Sequence, residues 1–499
     1  MDPTIAAIAA QKAVRDAMIA TQKSANPELA KAFSQASSAV SGITAYDLEA
    51  PAKLLYPVLT PLRNETPRVS GKGGIQANWR AITGVNTSGV ALGVGGGNRG
   101  GVISTSTQDY TAAYRTIGLE DYATFEADFA AEGFDDIKAL TVEGLLRSVM
   151  IGEEKMILGG NNSLALGVTP TPALATSTTG GTLAAGTWSV VCVALTLDGF
   201  STASVSGGVL GAVARTNADG SVDNYGGGSA QKSTNATQVT TGATSTISAT
   251  VASVKGAFAY AWFWSTTVGS EVLGAISTIN SVVISAAATG TQLSSALSGD
   301  NSRNPLAFDG LLSMCSQSLN SYFASQATGT AGIGTPLTSD SAGGIVEIDV
   351  ALKSFWDNYR LTPDTIWVNS QEALNISKKI VAGSSTAAQR FVFNSEQGMV
   401  AGGIMVRSYL NRFSMDGAAE IPVRIHPNIP PGTILFTTKR LPYPLSNVAN
   451  VLQVRARRDY YQIEWPMRSR KYEYGVYSDQ VLQNYFPPAF GVITNIANG

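Results

Sequence analysis

Between Leu166 and Gly299 the sequence holds only seven charged residues, Asp198, Arg215, Asp219, Asp223, Lys232, Lys255 and Glu271, in a run dominated by Ser, Thr, Gly, Ala and Val. Within it, Thr187–Leu197 and Phe258–Ser265 alternate or run apolar as strands do, and Asp198-Gly199 and Asp219-Gly220 read as turns. Short strands with frequent turns predict a β-sandwich of about 100 residues, with Gly207–Gly228 as a loop. Helical periodicity stands on both sides of this run. The sandwich, 166–303, therefore interrupts an α+β domain, as an insertion into an exposed loop does.

Before the insertion, residues 1–58 start helical at Met1–Ala20 and end in chain that Pro51, Pro57, Pro61 and Pro67 keep from being a continuous helix. They read as an extended arm. Val69–Ile82 and Val102–Thr116 each read as a strand, joined by the Gly-rich tip Gly93–Gly101, and together they predict a long hairpin within 59–118. This hairpin has few apolar residues to bury on its own subunit, so it needs a partner surface. The helix signal is strongest over 119–158, where Val142, Leu145, Leu146, Val149 and Met156 share one face; Gly159-Gly160-Asn161-Asn162 stops it. After the insertion, Ile348, Leu352, Phe355, Trp356 and Tyr359 repeat at helical spacing. Leu361–Asp364 then turns the chain, Thr365–Val368 is a short buried strand, and Asn369 with Glu372 forms a capping box for a helix through Ile380. Residues 421–495 are strand-like, with several Pro breaks.

Only 14 % of the 499 residues are charged, against roughly a quarter in ordinary soluble domains. A large chain with so few charges has little to keep it monomeric, and burial against copies of itself explains the deficit. The net charge of −2 excludes a global basic field for nucleic acid. No uncharged apolar stretch is long enough to predict a membrane span, and the start of the chain does not read as a signal peptide. Cys192 and Cys315 lie far apart and predict no disulfide framework.

The chemistry-bearing motifs are weak. Gly95–Gly100 matches G-x-G-x-x-G but lacks the strand, helix and acidic residue that make that pattern a nucleotide site, so it reads as a hairpin tip. His426 is the only histidine; without a nucleophile elbow or a second metal ligand it reads as structural. The acidic residues Glu120, Asp121, Glu126, Asp128, Glu132, Asp135, Asp136, Glu153 and Glu154 read as a solvated helix face rather than an acid–base pair. Arg455, Arg457, Arg458, Arg468, Arg470 and Lys471, interleaved with Tyr460, Tyr461, Trp465 and Tyr472, read either as a track for a nucleic-acid backbone or as strand faces that form intersubunit ion pairs. The balanced net charge favours the second. No catalytic residue, metal ligand or cofactor site is expected, and the chain does not read as an enzyme.

The order of parts resembles the HK97-type fold of tailed-bacteriophage major capsid proteins. The phrases that carry the resemblance are Pro61–Arg68 at the base of the hairpin, Val142–Gly160 on the long helix, Asp364–Ser370, and Val481–Phe490. The insert resembles a fibronectin-III or Ig-like domain through Ala185–Ala194 and Gly256–Trp264. The resemblance implies an N-terminal arm (1–58), an extended loop (59–118), a spine helix and first part of a peripheral domain (119–165), the insert (166–303), an axial domain (304–440), and a second peripheral part with the C-terminus (441–499). It further implies an icosahedral head shell built from pentamers and hexamers of the chain, assembled in the bacterial host cytoplasm. The shell encloses double-stranded DNA without sequence specificity, with no membrane, a separate scaffolding protein, a portal protein and a possible decoration protein. Arg63, Glu65, Arg68, Lys72, Arg99, Arg455, Arg457 and Arg458 are the expected intersubunit contacts. Some family members crosslink through a hairpin lysine and a distant asparagine helped by a glutamate; Lys72 is the one lysine in this hairpin, but no Asn–Glu arrangement is matched by motif. An encapsulin-type shell and a surface- or carbohydrate-binding adhesin using the sandwich are the alternative readings.

Overall fold

The computed structural model describes residues 59–85, 94–131, 136–317, 320–382, 406–414, 419–444 and 446–497. The expected arm, 1–58, lies outside them. The chain divides into two compact units, one of Met1–Tyr56 with Glu126–Ile137 and one of Pro57–Phe125 with Lys138–Gly499. Glu126 and Asp128, of the first, lie in the opening turn of the helix Phe125–Ala130, where acids suit the helix dipole. All that follows concerns the second.

A four-stranded sheet runs Arg68–Ser70, Leu452–Glu464, Lys471–Asn484, Arg115–Thr124. Its two long strands are antiparallel, Arg455 opposite Val481, while Arg68–Ser70 joins their edge in parallel. On this sheet lies the helix Ile137–Gly159. The spacing of Leu145 and Val149 puts them on one face, where they are buried with Ile117, Tyr474 and Val476, and Val142, Leu146 and Met156 pack at the margin. The helix starts later than its sequence signal, because 119–124 are strand. The helix stops at Gly159, as expected, and neither terminal glycine has a positive φ. A Cβ on Gly159 would lie 2.3 Å from Leu197 Cδ2, and one on Gly160 would lie 2.4 Å from the Phe308 carbonyl. Close approach of neighbouring chain selects glycine there, not backbone handedness.

Gln76–Val85 and Thr105–Ala113 form a separate two-stranded sheet, with Trp79 opposite Tyr110. The two strands expected here are thus each divided: Gly71–Ile75 separates Arg68–Ser70 from Gln76–Val85, and Tyr114 separates Thr105–Ala113 from Arg115–Thr124. The break lets the base of the element join the four-stranded sheet while the hairpin leaves it.

Between residues 173 and 284 two sheets face each other, one ordered 281–284, 246–250, 173–177 and one ordered 272–277, 259–265, 186–195, 236–240. Trp188, Val190, Cys192, Tyr260, Trp262 and Trp264 meet Ile247, Ala249 and Ile284 between them. The three indoles each donate, Trp262 Nε1 to Ser277 Oγ (2.8 Å), Trp264 Nε1 to the Ala286 carbonyl (3.0 Å) and Trp188 Nε1 to the Ala184 carbonyl (3.2 Å), so their burial leaves no polar atom stranded. The opposite face of the larger sheet is also covered: Val191, Val193, Phe263 and Leu273 pack under Val209 and Leu297. Double coverage explains the unbroken apolar run of Gly186–Leu195. Two turn and loop expectations change. Asp198-Gly199 lies in the first turn of a helix, Leu197–Thr202, capped by Thr196, and Gly207–Gly228 contains the hairpin Ala212–Thr216 with Val222–Gly226, turned at Asp219-Gly220.

The segment between Asn161 and Asn304 leaves and returns at one point. The Asn304 N–H donates to the Asn161 carbonyl (2.7 Å), and Asn161 Nδ2 donates to the Ser302 carbonyl (2.8 Å). A second contact holds its far side: the Asn280 N–H donates to Asn495 Oδ1 (2.9 Å), and Asn495 Nδ2 returns a bond to Asn280 Oδ1 (3.1 Å), both side chains buried.

The remaining sheet has six strands, ordered 322–325, 491–494, 434–437, 365–368, 419–425, 408–411. The helix Val346–Tyr359 sinks Ile348, Leu352 and Phe355 into its core. The helix Ser370–Ala382 follows the strand Thr365–Val368 directly. Asn369 Oδ1 accepts the Gln371 N–H (3.0 Å), but the expected reciprocal bond from Glu372 is absent, because Glu372 Oε1 accepts the Gly432 N–H (3.1 Å) instead. Gly491–Thr494 belongs to this sheet and not with 441–484, so the final strand crosses the boundary drawn at 440.

Candidate functional site: a buried junction at the root of the hairpin

Glu153 and Glu154 sit near the end of the long helix. Glu153 follows Val149 by four residues and precedes Met156 by three, which turns its carboxylate onto the apolar stripe. It is 1 % exposed and Glu154 0 %. Expected on a solvated face, both are buried, and a buried carboxylate must be paired or hydrogen-bonded to persist.

Every oxygen of the pair has a partner. Glu153 Oε2 accepts from Arg63 Nε (2.7 Å) and from the Tyr460 hydroxyl; Oε1 accepts from Gln480 Nε2 (2.7 Å) and from Arg68 Nη1. Glu154 Oε2 accepts the Arg63 N–H (2.6 Å), and Oε1 accepts the Leu62 N–H (2.9 Å). These two amides open the short helix Pro61–Glu65, whose cap residue Thr60 supplies no side-chain bond. A carboxylate 91 and 92 residues farther along the chain does the capping.

The third donor to Glu154 is His426 Nε2 (2.6 Å), fully buried. His426 Nδ1 accepts the Asn428 N–H (3.1 Å), so the ring proton sits on Nε2 and points at the carboxylate. His426 also meets Trp367 edge-on at 5.8 Å.

Tyr460 lies beneath both guanidiniums, Arg63 Cζ at 5.3 Å and Arg68 Cζ at 4.9 Å from its ring centre. Burial and the adjacent Glu153 carboxylate push the Tyr460 phenol up to about 12. Arg68 continues outward to Asp459 (2.5 Å) and to Gln480 Oε1 (2.7 Å). Burial opposes the Asp459 charge, but the Arg68 guanidinium outweighs it and holds the carboxyl below its usual range. Burial likewise opposes the charge on Arg68, and its carboxylate partners hold it protonated all the more firmly.

The junction therefore ties four parts together: Pro61–Ser70 ahead of the hairpin, the end of the long helix, the strands through Tyr460 and Gln480, and the strand end at His426. Glu153 and Glu154 are saturated with donors and closed to solvent, an arrangement that fixes position.

The residues expected at intersubunit contacts distribute as follows. Arg63 and Arg68 enter this junction. Glu65 bridges Arg424 and Lys439, the latter at 3.1 Å. Arg457 pairs with Asp479 (3.0 Å) and donates to the Gly74 carbonyl (3.1 Å), and Arg458 lies over Tyr461 at 4.1 Å. Lys72 and Arg99 are exposed on the hairpin, and Arg455 Nε is buried without an acceptor among the described residues. Sequence reasoning missed Glu153, Glu154, Gln480 and Asp459 as parts of one site. The available signal was helical spacing, since a carboxylate on an apolar stripe is buried.

At the same root, Trp79 stacks on Tyr110 (ring centres 5.8 Å, 20°) and meets Tyr485 edge-on at 5.8 Å. Apolar side chains are bare both here and farther along: Ile75, just before the hairpin, is 81 % exposed, and Ile82 and Val102 are 70 % and 94 % exposed. Arg80 and Asp109 pair bidentately across the strands (2.6 and 2.8 Å), but both are exposed, so the pair adds little to hairpin stability.

Comparison with known proteins gives no matching family profile and no matching curated protein. Among solved structures the chain is similar to the capsid of the native GTA particle (10 % identity, 93 % of this chain and 100 % of that one, TM-score 0.41), to the capsid of Myoviridae phage XM1 (10 %, 90 % and 97 %, TM-score 0.38), and to the holo-SrpI encapsulin complex of Synechococcus elongatus PCC 7942 (8 %, 90 % and 93 %, TM-score 0.36).

Proposed function

We propose that this chain is a shell-building subunit, the HK97-type major capsid protein of a tailed bacteriophage. One observation carries the reading: a two-stranded hairpin with bare apolar side chains, and with no buried core of its own among the described residues, stands beside a buried junction in which every oxygen of Glu153 and Glu154 is bonded. Two strands alone are marginal in water, and exposed apolar patches of this kind mark interaction surfaces. A rigid root makes the hairpin a lever that holds a neighbouring copy at a fixed angle, which is what closing a symmetric container requires. In this reading the low charge content is surface reserved for other copies. Arg455, Arg457 and Arg458 extend the contact along the strand face, the shell packs double-stranded DNA without reading its sequence, and scaffolding, portal and decoration proteins are separate chains.

Electron microscopy of the purified chain, with assay of enclosed nucleic acid, tests this. Closed particles, or rings and tubes of capsomer size, are expected. Particles that hold protein cargo and no nucleic acid after expression in a packaging host would favour the encapsulin reading. A monomer at all concentrations would return the function to the sandwich as a binding module.

A further inference from the structure

Gly152, Lys155, Met156 and Gly159 follow one another at helical spacing along the helix Ile137–Gly159 and line a cleft of about 490 Å³. The facing wall is the helix Leu197–Thr202, and the chain after His426 closes one end with Asn428, Ile429 and Pro431. The close approach that selects glycine at 159 sets this geometry. Leu197 lies against Gly159, so the next residue, Asp198, comes within reach of the charge on Lys155, one helical turn before Gly159. The volume is ordinary for a small-molecule site, roughly 300–1,000 Å³, and such sites form where separate parts of a fold meet.

Lys155 and Asp198 are exposed in this cleft, and among the described residues neither charged group takes a hydrogen bond or an ion pair. Desolvation at the cleft wall nevertheless pushes the Asp198 carboxyl up, against the opposing field of Lys155. Met156, Phe200 and Pro431 are partly exposed and present apolar surface to the same space. The floor at Gly152 is bare, since a Cβ there would meet nothing within 4 Å. An ammonium and a carboxylate that share a cleft without pairing call for both opposite charges in one ligand. A simple anion answers Lys155 and is repelled by Asp198, and a simple cation does the reverse. A neutral ligand desolvates both charges without compensation. A zwitterion satisfies both with charge-assisted bonds, and the apolar wall takes its body.

We propose that this cleft binds small zwitterions of the amino-acid type, with the carboxylate on Lys155, the ammonium on Asp198 and an apolar side chain against Met156 and Phe200. The site goes beyond the shell reading and does not rest on it.

The test titrates the full-length chain with L-leucine, followed by saturation-transfer NMR. Saturable binding is expected. N-acetyl-L-leucine, which lacks the ammonium, and L-leucine methyl ester, which lacks the carboxylate, are each expected to bind roughly ten-fold more weakly. Asp198→Asn should weaken leucine and remove its advantage over the N-acetyl form; Lys155→Met should weaken leucine and remove its advantage over the ester. Both side chains are exposed, so the fold should survive either change, and a circular-dichroism melt checks this. Gly152→Trp, which fills the bare floor, should abolish binding in a folded chain. Absence of saturable leucine binding by the wild-type chain would overturn the proposal. Equal affinity for leucine and its two blocked forms would overturn it too, as would leucine binding unchanged in both Lys155→Met and Asp198→Asn.

Discussion

Replacing Glu372 with Gln should stabilise the subunit above neutral pH and leave it unchanged in acid. Glu372 is 0 % exposed. Its Oε1 takes the Gly432 N–H at 3.1 Å and a longer contact from Asn375, while Oε2 is buried with no partner among the described residues. Burial is the main cause of its shift, opposed by the Gly432 and Asn375 bonds, and the carboxyl is pushed up to about 7 from an ordinary value of 4.5. The folded protein thus holds a proton that the unfolded chain releases. Below the unfolded value both states are protonated, and the carboxyl costs nothing. As pH rises from 4.5 through 7 the unfolded state ionises first, and stability is lost by about 3 kcal/mol, at 1.36 kcal/mol per unit. Glutamine copies the protonated carboxyl in shape, with one acceptor for Gly432 and an NH2 group, two donors in place of one, where Oε2 stood, but does not titrate. Guanidinium unfolding of wild type and Glu372→Gln at pH 4 and pH 8.5 reads the effect, and differencing the two proteins cancels every other titrating group. Coincident stabilities at pH 4, with the variant ahead by about 3 kcal/mol at pH 8.5, are expected. Parallel pH profiles would refute the reasoning.

Glu153→Leu should destabilise the subunit by about 3–5 kcal/mol, since it leaves Arg63 and Arg68 facing an apolar gap; the accompanying loss of hydrogen-exchange protection should centre on 60–70 and 458–480. Phe263→Ala should cost about 3–5 kcal/mol by denaturant titration, because the ring is fully buried in the doubly covered sheet. Gly159→Ala should cost about 1–3 kcal/mol, because its Cβ would sit 2.7 Å from Leu197 Cβ as well as 2.3 Å from Cδ2; an alanine at Gly144, exposed inside the same helix with open space around it, should instead stabilise by about 0.5–1 kcal/mol in the same melt.

What the sequence discloses follows which forces act locally. Helix Val346–Tyr359 and strand Thr365–Val368 are legible because their apolar spacing is unbroken and each buries what its period predicts. The core strands of the insertion are legible too, since Gly186–Leu195 and Ala259–Ser265 pair directly. Elements decided by distant partners are not. Residues 119–124 have the composition of a helix start but complete a sheet with 471–476. Glu372 sits where a capping box asks for it, yet Gly432 offers its N–H from 60 residues away. The junction was half visible: Arg63 and Arg68 stood out as charges, while their acceptor Glu153 read as surface until its place on the Val149–Met156 stripe is weighed. The partners that make Glu154 a cap, Leu62 and His426, lie 92 and 272 residues from it, and no local pattern records such distances.

Sedimentation of the chain with its hairpin shortened, Gln76–Ala113 replaced by a four-residue Gly-Ser turn, tests the central claim most directly. The strands on either side, Arg68–Ser70 and Arg115–Thr124, belong to the four-stranded sheet, so the body should still fold and give a cooperative circular-dichroism melt, lowered only by the loss of Ala77 and of the Trp79–Tyr485 contact. The account predicts that the full chain sediments as large closed particles and the shortened chain as a folded subunit or small oligomer. A folded, shortened chain that still closes into the same particles would contradict it.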